Sequence, residues 1–170
     1  MNGGNNALYA EDYHCMKEVK AVRIERIVDS LQETEGLAQE LAGHVGRGFV
    51  LGLEGDLGAG KTTFTKYLGK ALGIRDTINS PTFTIMKVYE NNPPLYHIDA
   101  YRLEGETDDF DLEEYIIDDG VAIIEWYKNI ESFLPDAFLS IEFEWLGETK
   151  RRCIIEGRGK YAEIAASLGD

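Results

Sequence analysis

Gly55-Asp56-Leu57-Gly58-Ala59-Gly60-Lys61-Thr62-Thr63 is the stretch that organises this 170-residue chain. It satisfies the pattern G-x-x-x-x-G-K-[ST] without a mismatch. Gly55, Gly58 and Gly60 permit tight turns that aim successive backbone N–H groups inward, making a nest for an anion. Lys61 brings a mobile ammonium to the β- and γ-phosphates of a nucleotide, and Thr62 offers a hydroxyl to Mg²⁺. The helix beginning here adds its positive N-terminal end. The whole run, with Asp56, Leu57, Ala59 and Thr63, is expected to form the phosphate site.

The flanks agree with that reading. Phe49 to Leu53 reads as a buried strand. Phe64, Tyr67, Leu68, Ala71 and Leu72 recur at helical spacing, and Gly73 supplies a stop. Strand, glycine-rich loop and helix are the setting the motif requires.

Working outward, residues 1–21 are polar, rich in Gly and Asn, and read as a mobile leader; 22–170 reads as one domain. Val22 and Ile24 alternate with charges and suggest a short strand. Ser30 to Glu33 has the form of a capping box before a helix carrying Leu37, Ala38, Leu41, Ala42 and Val45. Phe83 to Tyr89 and Leu95 to Tyr101 read as strands around a turn at Asn91 to Pro94. A weak helix is expected at Leu112 to Ile116 and a doubly buried strand at Val121 to Ile124. A short helix ends before Pro135. Leu139, Ile141, Phe143 and Trp145 alternate, a second strand runs through Cys153, Ile154 and Ile155, and the Leu146 to Thr149 turn between them predicts an antiparallel hairpin; Tyr161, Ile164, Ala165 and Leu168 give a closing helix. The sum is an α/β, three-layer fold with a mainly parallel central sheet and an antiparallel C-terminal hairpin.

Ligands of such sheets bind at the carboxyl ends of the strands, and two strands end in an acid. Glu125 is assigned to the metal together with Thr62, and Asp99 to orienting or activating the attacking water. Lys61, Asp99 and Glu125 are thus the expected catalytic set. His97 shares a strand face with Asp99 and reads as a hydrogen-bonded structural residue, with assistance as the alternative. Trp126 has two readings: it packs on the nucleotide or it fills the core. Ser80 and Thr82 flank Pro81 where a loop is placed to sense a γ-phosphate.

Composition narrows the classes. The formal net charge is −14, and between Glu90 and Glu148 the only Lys or Arg residues are Arg102 and Lys128. Such a surface repels a phosphate backbone, which excludes an extensive direct grip on tRNA or DNA. The acidic run Glu104 to Asp119 reads either as a solvated face or as a docking surface for a basic protein. Cys15 and Cys153 make neither a disulfide framework nor a zinc pattern. With no secretory signal and no membrane-length apolar run, a cytoplasmic setting is expected.

Four motifs in order carry a resemblance: the phosphate loop, Ser80-Pro81-Thr82-Phe83-Thr84, Tyr96-His97-Ile98-Asp99-Ala100-Tyr101-Arg102-Leu103 and Ile124-Glu125-Trp126. Together they resemble the TsaE (YjeE) family, small P-loop ATPases required for threonylcarbamoyladenosine (t6A) on tRNA. The resemblance implies slow, partner-dependent ATP hydrolysis with Mg²⁺, in support of the proteins TsaB and TsaD. It also implies phosphate and metal contacts at Lys61 and Thr62, metal service by Glu125 and an essential Asp99. The long leader, and Tyr127-Lys128-Asn129 where the family often has an acid, depart from the pattern. A small-molecule P-loop kinase is the alternative, but its arginine lid is poorly supplied by Arg75 and Arg102. A GTP-type switch lacks its N-K-x-D element.

Overall fold

The computed structural model describes residues 19–103 and 111–169. Residues 1–18 of the expected leader and 104–110 of the acidic run lie outside the described residues. The first strand, β1 (Ala21–Val28), is longer than expected. Arg26 interrupts the apolar alternation yet keeps its inward place, because its guanidinium bonds both carboxylate oxygens of Glu40 at 2.8 and 2.9 Å. Helix α1 (Leu31–Ala42) starts at Ser30, whose hydroxyl accepts from the N–H of Glu33 at 3.1 Å. The Glu33 carboxylate reaches back to the N–H of Asp29 at 2.7 Å, one residue beyond the usual box.

Strand β2 (Val50–Glu54) feeds the glycine loop, and helix α2 (Lys61–Ala71) leaves it. Next come β3 (Met86–Tyr89) and β4 (Leu95–Asp99), both shorter than the sequence suggests. Aromatic and β-branched residues from Phe83 onward look strand-like, but Pro81 O captures the N–H groups of Thr84 and Ile85 at 3.1 and 2.7 Å and bends the chain into a turn. At the end of β4 the Asp99 side chain takes the N–H of Tyr101 at 3.0 Å and turns the backbone away. Helix α3 (Leu112–Ile116), β5 (Val121–Glu125), a 3₁₀ segment at Tyr127–Phe133, the hairpin β6 (Leu139–Trp145) and β7 (Arg151–Arg158), and α4 (Ala162–Ser167) complete the order.

The seven strands of the described residues form one sheet in the order β1-β7-β6-β2-β5-β4-β3. The inner strands β6, β2, β5 and β4 are parallel, and antiparallel pairs close both edges. The three layers are unequal. Helices α1, α2 and α4 bury Leu37, Leu41, Phe64, Leu68 and Ala165 against Leu51, Leu53, Ile123 and Ile141. The other face carries a smaller core, where Leu112 and Ile116 of α3 and Tyr127 and Ile130 of the 3₁₀ segment cover Val50, Ile98 and Ile124. Among the described residues no helix is long and apolar enough to cross a membrane.

Strand β2 is anchored at its start by Tyr161, whose buried hydroxyl accepts from the N–H of Val50 at 3.0 Å. Burial raises the pKa of this phenol. Removing that oxygen strands a buried donor, which costs about 1–3 kcal/mol. Tyr161→Phe is therefore expected to lose that much in urea-induced unfolding, and an unchanged midpoint with an unchanged slope would contradict the anchor.

Candidate functional site

The glycine loop folds back over the end of β2. Gly55, Gly58 and Gly60 all have positive φ, at 143°, 78° and 115°. A side chain at Gly55 would also meet Phe143 O at 2.7 Å, so the first loop glycine is required by close approach as well. Lys61 Nζ donates to Gly55 O and, at 3.1 Å, to Asp56 O. It also stands 4.0 Å from the centroid of the Trp126 ring, a cation–π contact. Burial pushes the Lys61 ammonium below its ordinary pKa, while Glu125, Glu54, Asp99 and Asp56 pull it back up. The cation is thus partly stripped of water and held by acceptors that an incoming anion can replace.

Two acids meet it from adjacent strands. Asp99 and Glu125 are register partners across β4 and β5. Glu125 is 2% exposed, and its Oε1 accepts from the Thr62 hydroxyl at 2.7 Å. Its other oxygen lies 3.2 Å from His97 Nε2. His97 therefore serves Glu125, not Asp99, although it shares the strand face of Asp99. Asp99 Oδ2 accepts from Thr82 Oγ1 at 3.1 Å and Ser80 Oγ at 3.3 Å, and the two hydroxyls are 2.6 Å apart. The loop bearing them ends at Ile85, whose φ of 66° is costly for a β-branched residue. It is held by the bond from its N–H to Pro81 O and by Asp99 N–H on its carbonyl at 2.8 Å.

Between these groups lies a cleft of about 180 Å³, lined by Leu57, Gly58, Gly60, Lys61, Thr62, Thr63, Ser80, Thr82, Asp99, Glu125 and Trp126. Of the residues expected from sequence, Gly55, Asp56 and Ala59 stand off this lining. Gly55 and Asp56 offer carbonyls to Lys61, and Ala59 packs into the core. Trp126 lies between the cleft and the core. Its ring lines the cleft, packs 5.1 Å from the Tyr101 ring and joins the smaller core. Three contributors were not legible in the chain order. Tyr101 supports Trp126, Glu54 accepts from the N–H of Lys128 at 3.2 Å, and Arg151 reaches Ala59 O at 2.7 Å from the distant hairpin. Burial raises the pKa of Glu54, with Lys128 opposing it.

This arrangement offers one ammonium, one hydroxyl–carboxylate pair and one loop-latched carboxylate around a space lined by the glycine loop and the start of α2. That donor set is suited to a phosphate chain and a hard cation. The family model for threonylcarbamoyl adenosine biosynthesis protein TsaE matches residues 28–154, which include all four motifs. The tRNA threonylcarbamoyladenosine biosynthesis protein TsaE of Bacillus subtilis is 45% identical over 134 residues, covering 78% of this chain and 85% of the relative. The protein of the same description from Aquifex aeolicus is 39% identical over 131 residues, covering 75% and 92%. A crystal structure of Bacillus subtilis YdiB matches with a TM-score of 0.74 at 37% identity, covering 88% of this chain and 93% of that one. This chain belongs to the TsaE family of threonylcarbamoyl adenosine biosynthesis proteins.

Proposed function

We propose that this protein binds ATP with Mg²⁺ in the cleft and hydrolyses it slowly, in the cytoplasm, in support of t6A formation on tRNA by TsaB and TsaD. The observation that carries the reading is the convergence of Lys61, Thr62, Asp99 and Glu125 from α2, β4 and β5 on one cleft. The residues fit the metal. Among the described residues no group of three or more His, Cys, Asp or Glu stands ready to cage an ion. Mg²⁺ at nucleotide sites takes one or two carboxylates and completes its shell with water and phosphate. Thr62 Oγ1 and Glu125, already 2.7 Å apart, would hold it. When bound, it would neutralise charge developing on the β- and γ-phosphoryl oxygens.

The remaining work falls to the chain. Lys61 exchanges its two carbonyl acceptors for phosphate oxygens. The N–H groups of the glycine loop and the start of α2 hold the phosphate chain. Asp99, once released by Ser80 and Thr82, orients the water that attacks the γ-phosphorus. His97 holds Glu125 in place. Ser80 and Thr82 are free to follow the γ-phosphate, so ATP and ADP present different loop surfaces to a partner. Among the described residues, Lys61 is the only Lys or Arg lining the cleft. A kinase clamping a second phosphorylated substrate would need more.

Lys61→Ala is expected to lower ATP hydrolysis by on the order of 10²-fold or more with an unchanged melting curve; a folded variant at the wild-type rate would move the site elsewhere. The two acids are expected to separate. Glu125→Ala raises the Kd for ATP only when Mg²⁺ is present. Asp99→Ala leaves binding within about twofold and slows hydrolysis by roughly 10²- to 10⁴-fold. Calorimetric titration with and without Mg²⁺, beside a phosphate-release assay, reads both, and the opposite pattern exchanges the two roles. Association with TsaB–TsaD is expected to differ between ATP, ADP and no nucleotide in a pull-down, while the protein alone fails to shift tRNA in a gel at physiological salt. Equal capture in all three states, or tight tRNA binding alone, would contradict the partner reading.

A further inference from the structure

Arg151 opens β7 and points at the back of the glycine loop, not into the cleft. Its Nε donates to Ala59 O at 2.7 Å and its Nη2 to Gly58 O at 3.4 Å. From the other side its Nη1 donates to Gly147 O at 2.5 Å and Lys150 O at 2.9 Å. The Trp145 ring centroid lies 6.0 Å from the guanidinium carbon. Every hydrogen-bond partner of this guanidinium is a backbone carbonyl, and among the described residues no carboxylate pairs with it. Arg26, Arg152 and Arg158 each pair with a glutamate. Arg151 differs from these three in committing its donors to loop carbonyls, in a chain of net charge −14.

We propose that Arg151 is a positioning residue for the phosphate loop, holding the Ala59–Gly60 peptide with its N–H turned into the cleft. The inference rests on the nucleotide reading of that cleft. In a planar trans peptide the C=O and the following N–H point in opposite directions. Gripping Ala59 O from behind therefore fixes the direction of the Gly60 N–H. Gly60 lines the cleft at a φ of 115° and has no side chain of its own to hold this peptide. The neighbouring peptide is already committed, because Ala59 N–H donates to Asp56 O at 2.9 Å. A charged donor makes a hydrogen bond roughly twice as strong as a neutral one. It also polarises the peptide, so the Gly60 N–H becomes a better donor to an anion. The positive charge stays behind the nest, where it attracts phosphate without occupying the space phosphate needs.

The test uses the full chain and Mg²⁺-ADP. Arg151→Ala is expected to weaken Mg²⁺-ADP binding about tenfold or more in calorimetric titration. Arg151→Lys, which keeps the charge and one donor, falls between. Dilute guanidinium chloride restores part of the loss in Arg151→Ala and does not improve the wild type. In a ¹H–¹⁵N spectrum without ligand, the Gly60 amide proton moves upfield in Arg151→Ala. A guanidinium that only pinned the hairpin would lower the melting temperature but leave the Gly60 resonance and the affinity in place, and that result overturns the proposal. Should Arg151→Ala fail to fold, Arg151→Lys binding as tightly as wild type overturns it equally. Wild type and variant binding Mg²⁺-ADP alike removes only the role of Arg151. Wild type that does not bind Mg²⁺-ADP removes the nucleotide reading and this inference with it.

Discussion

Parallel pairing of β2, β5 and β4 sets Leu53, Glu125 and Asp99 side by side at the ends of three strands. The cleft depends on that row. Strand side chains alternate between faces, so a slip of one residue in β4 or β5 would move one acid away from α2 to the other side of the sheet. The register is held by burial. Ile123 packs toward α2 while Ile98 and Ile124 pack toward the smaller core, and all three are 0% exposed. The same row brings β2 to its end beside Glu125, so the glycine loop starts where the carboxylates stop. His97 and Glu125, both essentially buried, bond each other across the two strands and restrict the Glu125 carboxylate.

Without a ligand, the polar groups that face the cleft satisfy one another. Lys61 rests on loop carbonyls, Thr62 on Glu125, and Ser80 and Thr82 on Asp99. On the proposed function, nucleotide binding would be an exchange of partners rather than the creation of bonds from nothing. An exchanged hydrogen bond contributes little net free energy, about 0.5–1.5 kcal/mol, so under that proposal small differences between ATP and ADP would decide which loop arrangement is populated. Ile85 at φ 66° is the loop's strained joint, and it is fastened to Asp99 through the backbone as well. Strain at that point makes the latch easier to release. Among the described residues, His97 Nδ1 is a buried atom without a hydrogen-bond partner.

Local patterns made most of this legible. The spacing of glycines, Lys61 and Thr62 defines the loop, and the apolar run before Glu125 marks a strand that delivers an acid. What the chain order hid was long-range or competitive. Arg151 stands 92 positions from Ala59, and no local pattern tells a hairpin arginine that it will face a loop carbonyl. β1 looked short because Arg26 breaks its alternation, and only the facing Glu40 explains why that arginine remains inside. Phe83 to Ile85 looked extended because their composition favours strands, yet a turn closed by Pro81 O took those residues first. The β6–β7 hairpin was legible in the sequence, whereas the pairing of β1 with β7 at that edge was a matter of topology rather than composition.

The central claim is that a nucleotide's phosphates replace the internal partners of Lys61, Thr62 and Asp99. A crystal structure of the protein with Mg²⁺ and a non-hydrolysable ATP analogue tests it most directly. Lys61 Nζ is expected on the β- and γ-phosphates, the metal held by Thr62 and Glu125, and the hydroxyls of Ser80 and Thr82 withdrawn from Asp99. A nucleotide bound elsewhere, or bound in the cleft with the Thr62–Glu125 and Thr82–Asp99 bonds intact, would contradict it.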